Sequence, residues 1–200
     1  MVPDTIDDRR SKGPARKDYR IMYENGYKKL QDSLIDVIAE EQAKLGYMKE
    51  PIRLYYRLSS LHHFFESEGD AEAMQESLGG FPEATKEIFG EVQVSHKGDR
   101  FCFFLSEHAT EYVHEHRDEN AFIFALVQLL TKHGTTLDEV KELFRSQTSE
   151  CAMEPMDNGE FDLMIRFVDS EDPYYYCFKD EGCHIIYHRF LPEDYADFGF

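Results

Sequence analysis

Residues 106–120, SEHATEYVHEHRDEN, hold the densest group of carboxylates and imidazoles in the chain. Glu111 and His114 have the Glu-x-x-His spacing with which one helix offers two ligands to a metal. Glu107, one turn earlier, completes a candidate metal set of Glu107, Glu111 and His114. At about 100° per residue, these three fall on one side with Glu115 and Asp118. Ala109, Tyr112, Val113 and His116 fall on the other side, which must face the core, so the acids are expected to face water. A dinuclear carboxylate site would also need a second such motif on another helix. The other Glu-x-x-His, Glu181 to His184, straddles an expected hairpin turn. A solvated helix face therefore accounts for the segment, and no cofactor is expected.

A second candidate lies in PYYYCFKDEGCHIIYHRF. If Gly182 closes a three-residue loop, Phe178 stands opposite His184, Tyr176 opposite Ile186 and Tyr174 opposite His188. Tyr174, Tyr176, His184 and His188 then share a polar-aromatic face that can line a ligand pocket. Core packing with polar tips explains the same pattern. His184 and His188 would lie about 13 Å apart at strand rise, too far to chelate one ion. His62 and His63 are adjacent, so one is expected to pack and the other to be exposed.

Nucleophilic catalysis has no signature here. Gly-x-Ser-x-Gly, His-Glu-x-x-His and glycine-rich phosphate loops are all missing. Cys102, Cys151, Cys177 and Cys183 form no Cys-x-x-Cys pair and are expected to be reduced, buried, small apolar residues. No catalytic residue is assigned, and binding is favoured over catalysis.

The elements that must position these residues follow from periodicity. A polar tail is expected over residues 1–18, then a single α+β domain over 19–200. Leu30, Leu34, Val37, Ile38 and Leu45 mark a helix starting near Asn25-Gly26 and stopping at Gly46. IRLYYR after Pro51 reads as a strand, followed by a helix capped by Ser59 or Ser60. EVQVSHKGDRFCFFLS reads as a hairpin turning at 97–99. The helix of the opening segment follows, then a buried central helix over AFIFALVQLL, then a helix with the capping box Thr136…Glu139. The chain then changes to period two. A hairpin is expected at Asn158-Gly159, with Phe161, Leu163, Ile165 and Phe167 on one face, then the Tyr/His hairpin. Helices first and an antiparallel meander last predict α+β.

Charge sets the expected partners. The formal net charge is −18, which repels nucleic-acid phosphate and anionic membranes and attracts a basic protein. Two helices joined at Gly134 before a hairpin resemble a winged helix-turn-helix, but Asp138, Glu139 and Glu142 would face the phosphates. An immunity- or adaptor-like interaction protein in the cytoplasm is expected, and a homo-oligomer is compatible with the sequence. The alternative is a small-molecule-binding protein using the Tyr/His face. The start of the chain has no apolar run of the signal-peptide kind, and AFIFALVQLL is too short to span a bilayer.

The run KKLQDSLIDVIAEEQAKLGYMKEPIRLYYRLSSLHHFF, residues 28–65, resembles a domain-of-unknown-function family from Gram-positive gut anaerobes. MDNGEFDLMIRFVD is similar as well, so the resemblance covers most of residues 25–190. It implies a bacterial cytoplasmic origin and supplies no activity to carry over.

Overall fold

Leu30, Leu34 and Ile38 recur every fourth residue, and a helix is the backbone that stacks such positions on one face. A computed structural model describes residues 16–170 and 172–197, with side chains from residue 25 onward except 120, 193 and 197. The stripe lies on α1 (Arg16–Leu45), where all three side chains are fully buried. The tail expected over residues 1–18 lies outside the described residues as far as 15, and from Arg16 the chain is helical.

Gly26 does not open this helix; it sits inside it. A Cβ at Gly26 would lie 2.6 Å from the ring of Phe65, on α2 (Leu58–Phe65). The missing side chain lets α2 pack directly on the backbone of α1. Gly26→Ala is expected to destabilise the fold by about 1–3 kcal/mol, despite a helix-propensity gain of about 1 kcal/mol. Phe65 is enclosed and cannot step aside. Urea unfolding checks this, with Gly79→Ala, which meets open space, as the near-neutral control.

β1 (Ile52–Arg57), β2 (Val92–Lys97) and β3 (Arg100–Leu105) form an antiparallel sheet in the order β1-β3-β2. Gly98, at φ +60°, turns β2 into β3. Alternation sends Leu54, Tyr56, Phe101 and Phe103 inward and leaves Tyr55, Arg57 and Arg100 outside. Between β1 and β2 come α2, α3 (Ala71–Ser77), α4 (Phe81–Ala84) and α5 (Lys86–Phe89). Asp70 caps α3, accepting from the Ala73 N–H at 2.9 Å. Ser59 and Ser60 lie within α2 instead of capping it.

α6 (Glu107–Glu115), α7 (Ala121–Leu130) and α8 (Leu137–Arg145) follow. α7 buries Ile123, Leu126 and Val127, packs on α1, and reaches the second sheet through Phe122. The capping box at Thr136 and Glu139 is formed. The second sheet is a meander of β4 (Cys151–Pro155), β5 (Leu163–Phe167), β6 (Tyr175–Asp180) and β7 (Ile185–Phe190), closed by α9 (Pro192–Asp197). The chain is α+β.

Two hairpin expectations need correction. Asn158-Gly159 sits in a longer loop, because Pro155 already pairs with Leu163. There the Asn158 side chain accepts from the N–H groups of Glu160 and Phe161, making its own local turn. Phe161 consequently leaves the face of Leu163 and Ile165 and packs with Met164 and Cys177 on the other side.

In the last hairpin Phe178 pairs with Tyr187, Tyr176 with Arg189, and Cys177 with His188. The pairing is offset by an odd number of residues from the expected one, which exchanges the two faces of β7. Tyr187 and Arg189 therefore point inward beside Tyr176, while His188 is exposed and His184 lies in the loop. Burying Ile185 and the Tyr187 ring removes more apolar area from water than burying Ile186 between two imidazoles. The same shift leaves Cys183 exposed. Of the four cysteines, all free, only Cys177 is buried, where burial pushes its thiol up to about 12.

Candidate functional site

α1 carries Ser33, Asp36 and Glu40 along the border of its apolar stripe, one helical turn apart. β7 brings Arg189 against them. Its guanidinium donates to Asp36 at 2.6 Å and also to Glu40, and it lies over the Tyr174 ring with its centre 4.4 Å from the centroid. Only 3% of the Arg189 side chain is exposed, and its Nε is buried without a partner. Glu40 further accepts from Tyr187 at 2.7 Å and from Lys44. Asp172, just before β6, accepts from the Tyr176 hydroxyl at 2.7 Å and the Tyr174 N–H at 2.9 Å.

Three carboxylates thus surround one buried cation, and their titration diverges. Burial raises Asp36 despite the attraction of Arg189, and burial raises Asp172 despite its hydrogen bonds. Burial also pushes on Glu40, but Arg189, Lys44 and Tyr187 outweigh it and hold Glu40 below the usual range. Burial, reinforced by nearby carboxylates, keeps the Tyr56, Tyr174 and Tyr176 phenols neutral.

Beside this cluster runs a cleft of about 650 Å³. It is bounded by residues of α1, of the edge strand β1, and of the end of β7 with α9. Val37, Leu54, Phe190 and Leu191 supply apolar wall, and Arg57, Asp99, Arg100 and Asp194 supply charge. Three hydroxyls line it and are joined in a row. Ser33 Oγ lies 2.9 Å from the Tyr56 hydroxyl and 3.3 Å from that of Tyr174. Ser33 thereby links both sheets to α1.

The residues singled out by sequence are distributed unevenly around this site. Tyr174 lines the cleft, and Tyr176 lies behind it against Asp172. His184 and His188 are not brought to it: His184 Nδ1 lies 3.1 Å from the Cys183 sulfur, and His188 packs on Phe161. Glu107 is exposed, Glu111 accepts from Lys49 at 2.5 Å, and His114 stacks on Tyr47 at 3.9 Å. That Lys49 contact holds Glu111 below its ordinary value. Among the described residues no group of three or more His, Cys, Asp or Glu side chains is placed to hold a metal ion.

Arg189, Asp36, Glu40, Asp172, Ser33 and Tyr56 were not legible as site residues. One signal was present: Ser33, Asp36 and Glu40 share a helix face immediately beside Leu34 and Ile38, where a solvated carboxylate pair is out of place without a cation.

Fold and cleft define an α+β protein in which a long helix joins two antiparallel sheets around a buried arginine. The chain belongs to the family DUF3877, whose description reads "Domain of unknown function, E. rectale Gene description"; the match spans residues 27–199. No curated protein and no solved structure matches the chain. No helix among the described residues is long and apolar enough to cross a membrane.

Proposed function

We propose that the chain is a non-enzymatic binding protein that holds a small organic molecule in the cleft between β1 and β7. The observation that carries this reading is the hydroxyl row on the cleft wall. Ser33, Tyr56 and Tyr174 own three O–H donors but make only two contacts among themselves. One donor is left over, facing a space within the usual ~300–1,000 Å³ of ligand sites. A bound acceptor oxygen would complete it.

The test is native mass spectrometry on protein isolated from its own host. Wild type is expected to carry a small molecule near stoichiometry. Tyr174→Phe, which keeps the ring and removes the donor, is expected to retain it about tenfold more weakly. Protein that carries nothing, and whose melting no metabolite panel shifts, would defeat the reading.

The net charge of −18 supports a second reading, an adaptor- or immunity-like contact with a basic protein. Such a complex would weaken steeply with salt, and a host partner eluting unchanged between low and high salt would count against it. Free cysteines fit a reducing cytoplasm.

A further inference from the structure

Two large apolar side chains that the fold leaves in water, Leu45 at 66% exposure and Met48 at 53%, stand at one small slot. The slot holds about 100 Å³ where α1 ends against the segment leading into β1, with Thr110 of α6 on its wall. Pro51 and Ile52 add apolar wall, and Glu41, Gln42 and Glu50 add polar wall. Small-molecule sites begin at roughly 300 Å³, so this one has room for a single side chain.

Its polar groups ask for a cation. Gln42 is only 8% exposed, and its Nε2 donates to the Thr110 carbonyl at 2.7 Å. That leaves Gln42 Oε1 buried and without a partner. Turning the amide over would set two acceptors against each other, so the atom left over stays an acceptor. Glu41 and Glu50 are exposed and, as carboxylates, only accept. Neither has an ion pair among the described residues, and the neighbouring cations are taken, Lys44 by Glu40 and Lys49 by Glu111. The Thr110 hydroxyl is turned to the Glu50 and Glu107 carbonyls, at 3.1 and 2.9 Å. α1, 30 residues long, presents its C-terminal and therefore negative end here, closed by Gly46 at φ +87°. An apolar wall with a negative end matches a side chain that has an apolar stem and a cationic head.

We infer that this slot anchors a basic protein partner by taking one of its lysine side chains, the stem against Pro51 and Ile52 and the ammonium toward Glu41, Gln42 and Glu50. Leu45 and Met48 at the rim then cover apolar residues flanking that lysine. The inference rests on the basic-partner reading, gives it a place on the surface, and is independent of the cleft.

The probe is the capped tripeptide acetyl-Leu-Lys-Leu-amide, titrated into the full chain at constant ionic strength and followed by NMR. It is expected to bind saturably with a dissociation constant of about 1 mM or below, moving the backbone signals of residues 41–52 and the side-chain amide of Gln42. The double variant Glu41→Gln, Glu50→Gln, at two exposed positions, is expected to weaken it about tenfold. Glu142→Gln with Glu154→Gln removes the same charge from exposed positions elsewhere and is expected to leave binding unchanged.

Equal binding by wild type and the Glu41→Gln, Glu50→Gln variant would overturn the inference, as would equal binding of acetyl-Leu-Gln-Leu-amide. Spermidine bound as tightly as the peptide, with the same shifts, would overturn it in favour of a free polyamine. A host protein held at low salt, released at high salt and undiminished by Glu41→Gln, Glu50→Gln would overturn the slot's role while leaving the basic-partner reading intact.

Discussion

Arg189→Met is expected to lower the unfolding free energy by about 3–5 kcal/mol. The substitution keeps an unbranched apolar stem over Tyr174 and removes the charge together with its hydrogen bonds to Asp36 and Glu40. Asp36 and Glu40 then keep their places beside α1 without a counter-ion, and the cost of two poorly solvated carboxylates falls on the folded state alone. Lys44 still reaches Glu40 from the surface, so Asp36 bears more of the loss. Replacing Asp36 and Glu40 by apolar residues in the Arg189→Met background is expected to recover part of the stability, since it is the broken set that is costly.

The pH dependence of that loss has a definite sign. Arg189 pulls the values of Asp36, Glu40 and Asp172 downward, so its removal lets burial raise all three. A carboxyl raised in the folded state binds its proton there first, and its ionisation weakens the fold as pH climbs through the raised value. The deficit of Arg189→Met should therefore be widest at pH 8 and narrow as pH falls toward the ordinary carboxylate range. In wild type, Glu40 acts in the opposite sense, stabilising above its unfolded value and losing that contribution as acid reaches its depressed one. Urea unfolding of both proteins at pH 8 and pH 5 measures the gap. A gap that does not change with pH would mean the carboxylates do not carry the effect.

What could be read in advance divides along a physical line. Local rules located most of the elements: the α1 stripe, the Gly98 turn and the Thr136–Glu139 capping box depend on residues within a turn or two of one another. The Tyr/His face failed because it depended on register. Gly159 and Gly182 are both turn residues at positive φ, yet each sits in a longer loop than a minimal hairpin needs. A slip by an odd number of residues was enough to move His188 out and Arg189 in. The site also needs partners 141 to 153 positions apart, Ser33 with Tyr174 and Asp36 with Arg189, which no local pattern encodes. Net charge is a sum and does not say where charges meet, while strand pairing collects Arg57, Arg100 and Lys97 into one row. Screening over about 8 Å at physiological salt lets such a row act apart from the total.

Phe144→Ala is expected to cost about 3–5 kcal/mol and to lower the melting temperature by about 10 °C. Phe144 is fully buried on α8, and four rings meet it: Phe122 at 4.9 Å, Tyr176 at 5.1 Å, Phe167 at 5.3 Å and Phe178 at 5.9 Å. Three of those rings stand on β5 and β6, whose backbone ladder fixes them, so the cavity cannot close by a simple shift of neighbours. Leu143→Ala, on the half-buried side of the same helix, is the milder comparison. Thermal unfolding measures both, and a Phe144→Ala loss below about 1 kcal/mol would mean that α8 is not anchored through this ring. Tyr176 couples this core to the site. One side of its ring packs on Phe144, its hydroxyl holds Asp172, and Arg189 lies 5.9 Å from its centroid. Loosening Tyr176 from below therefore weakens the same support that Arg189→Met removes from above. The double variant Phe144→Ala, Arg189→Met is expected to lose less than the sum of the two single losses.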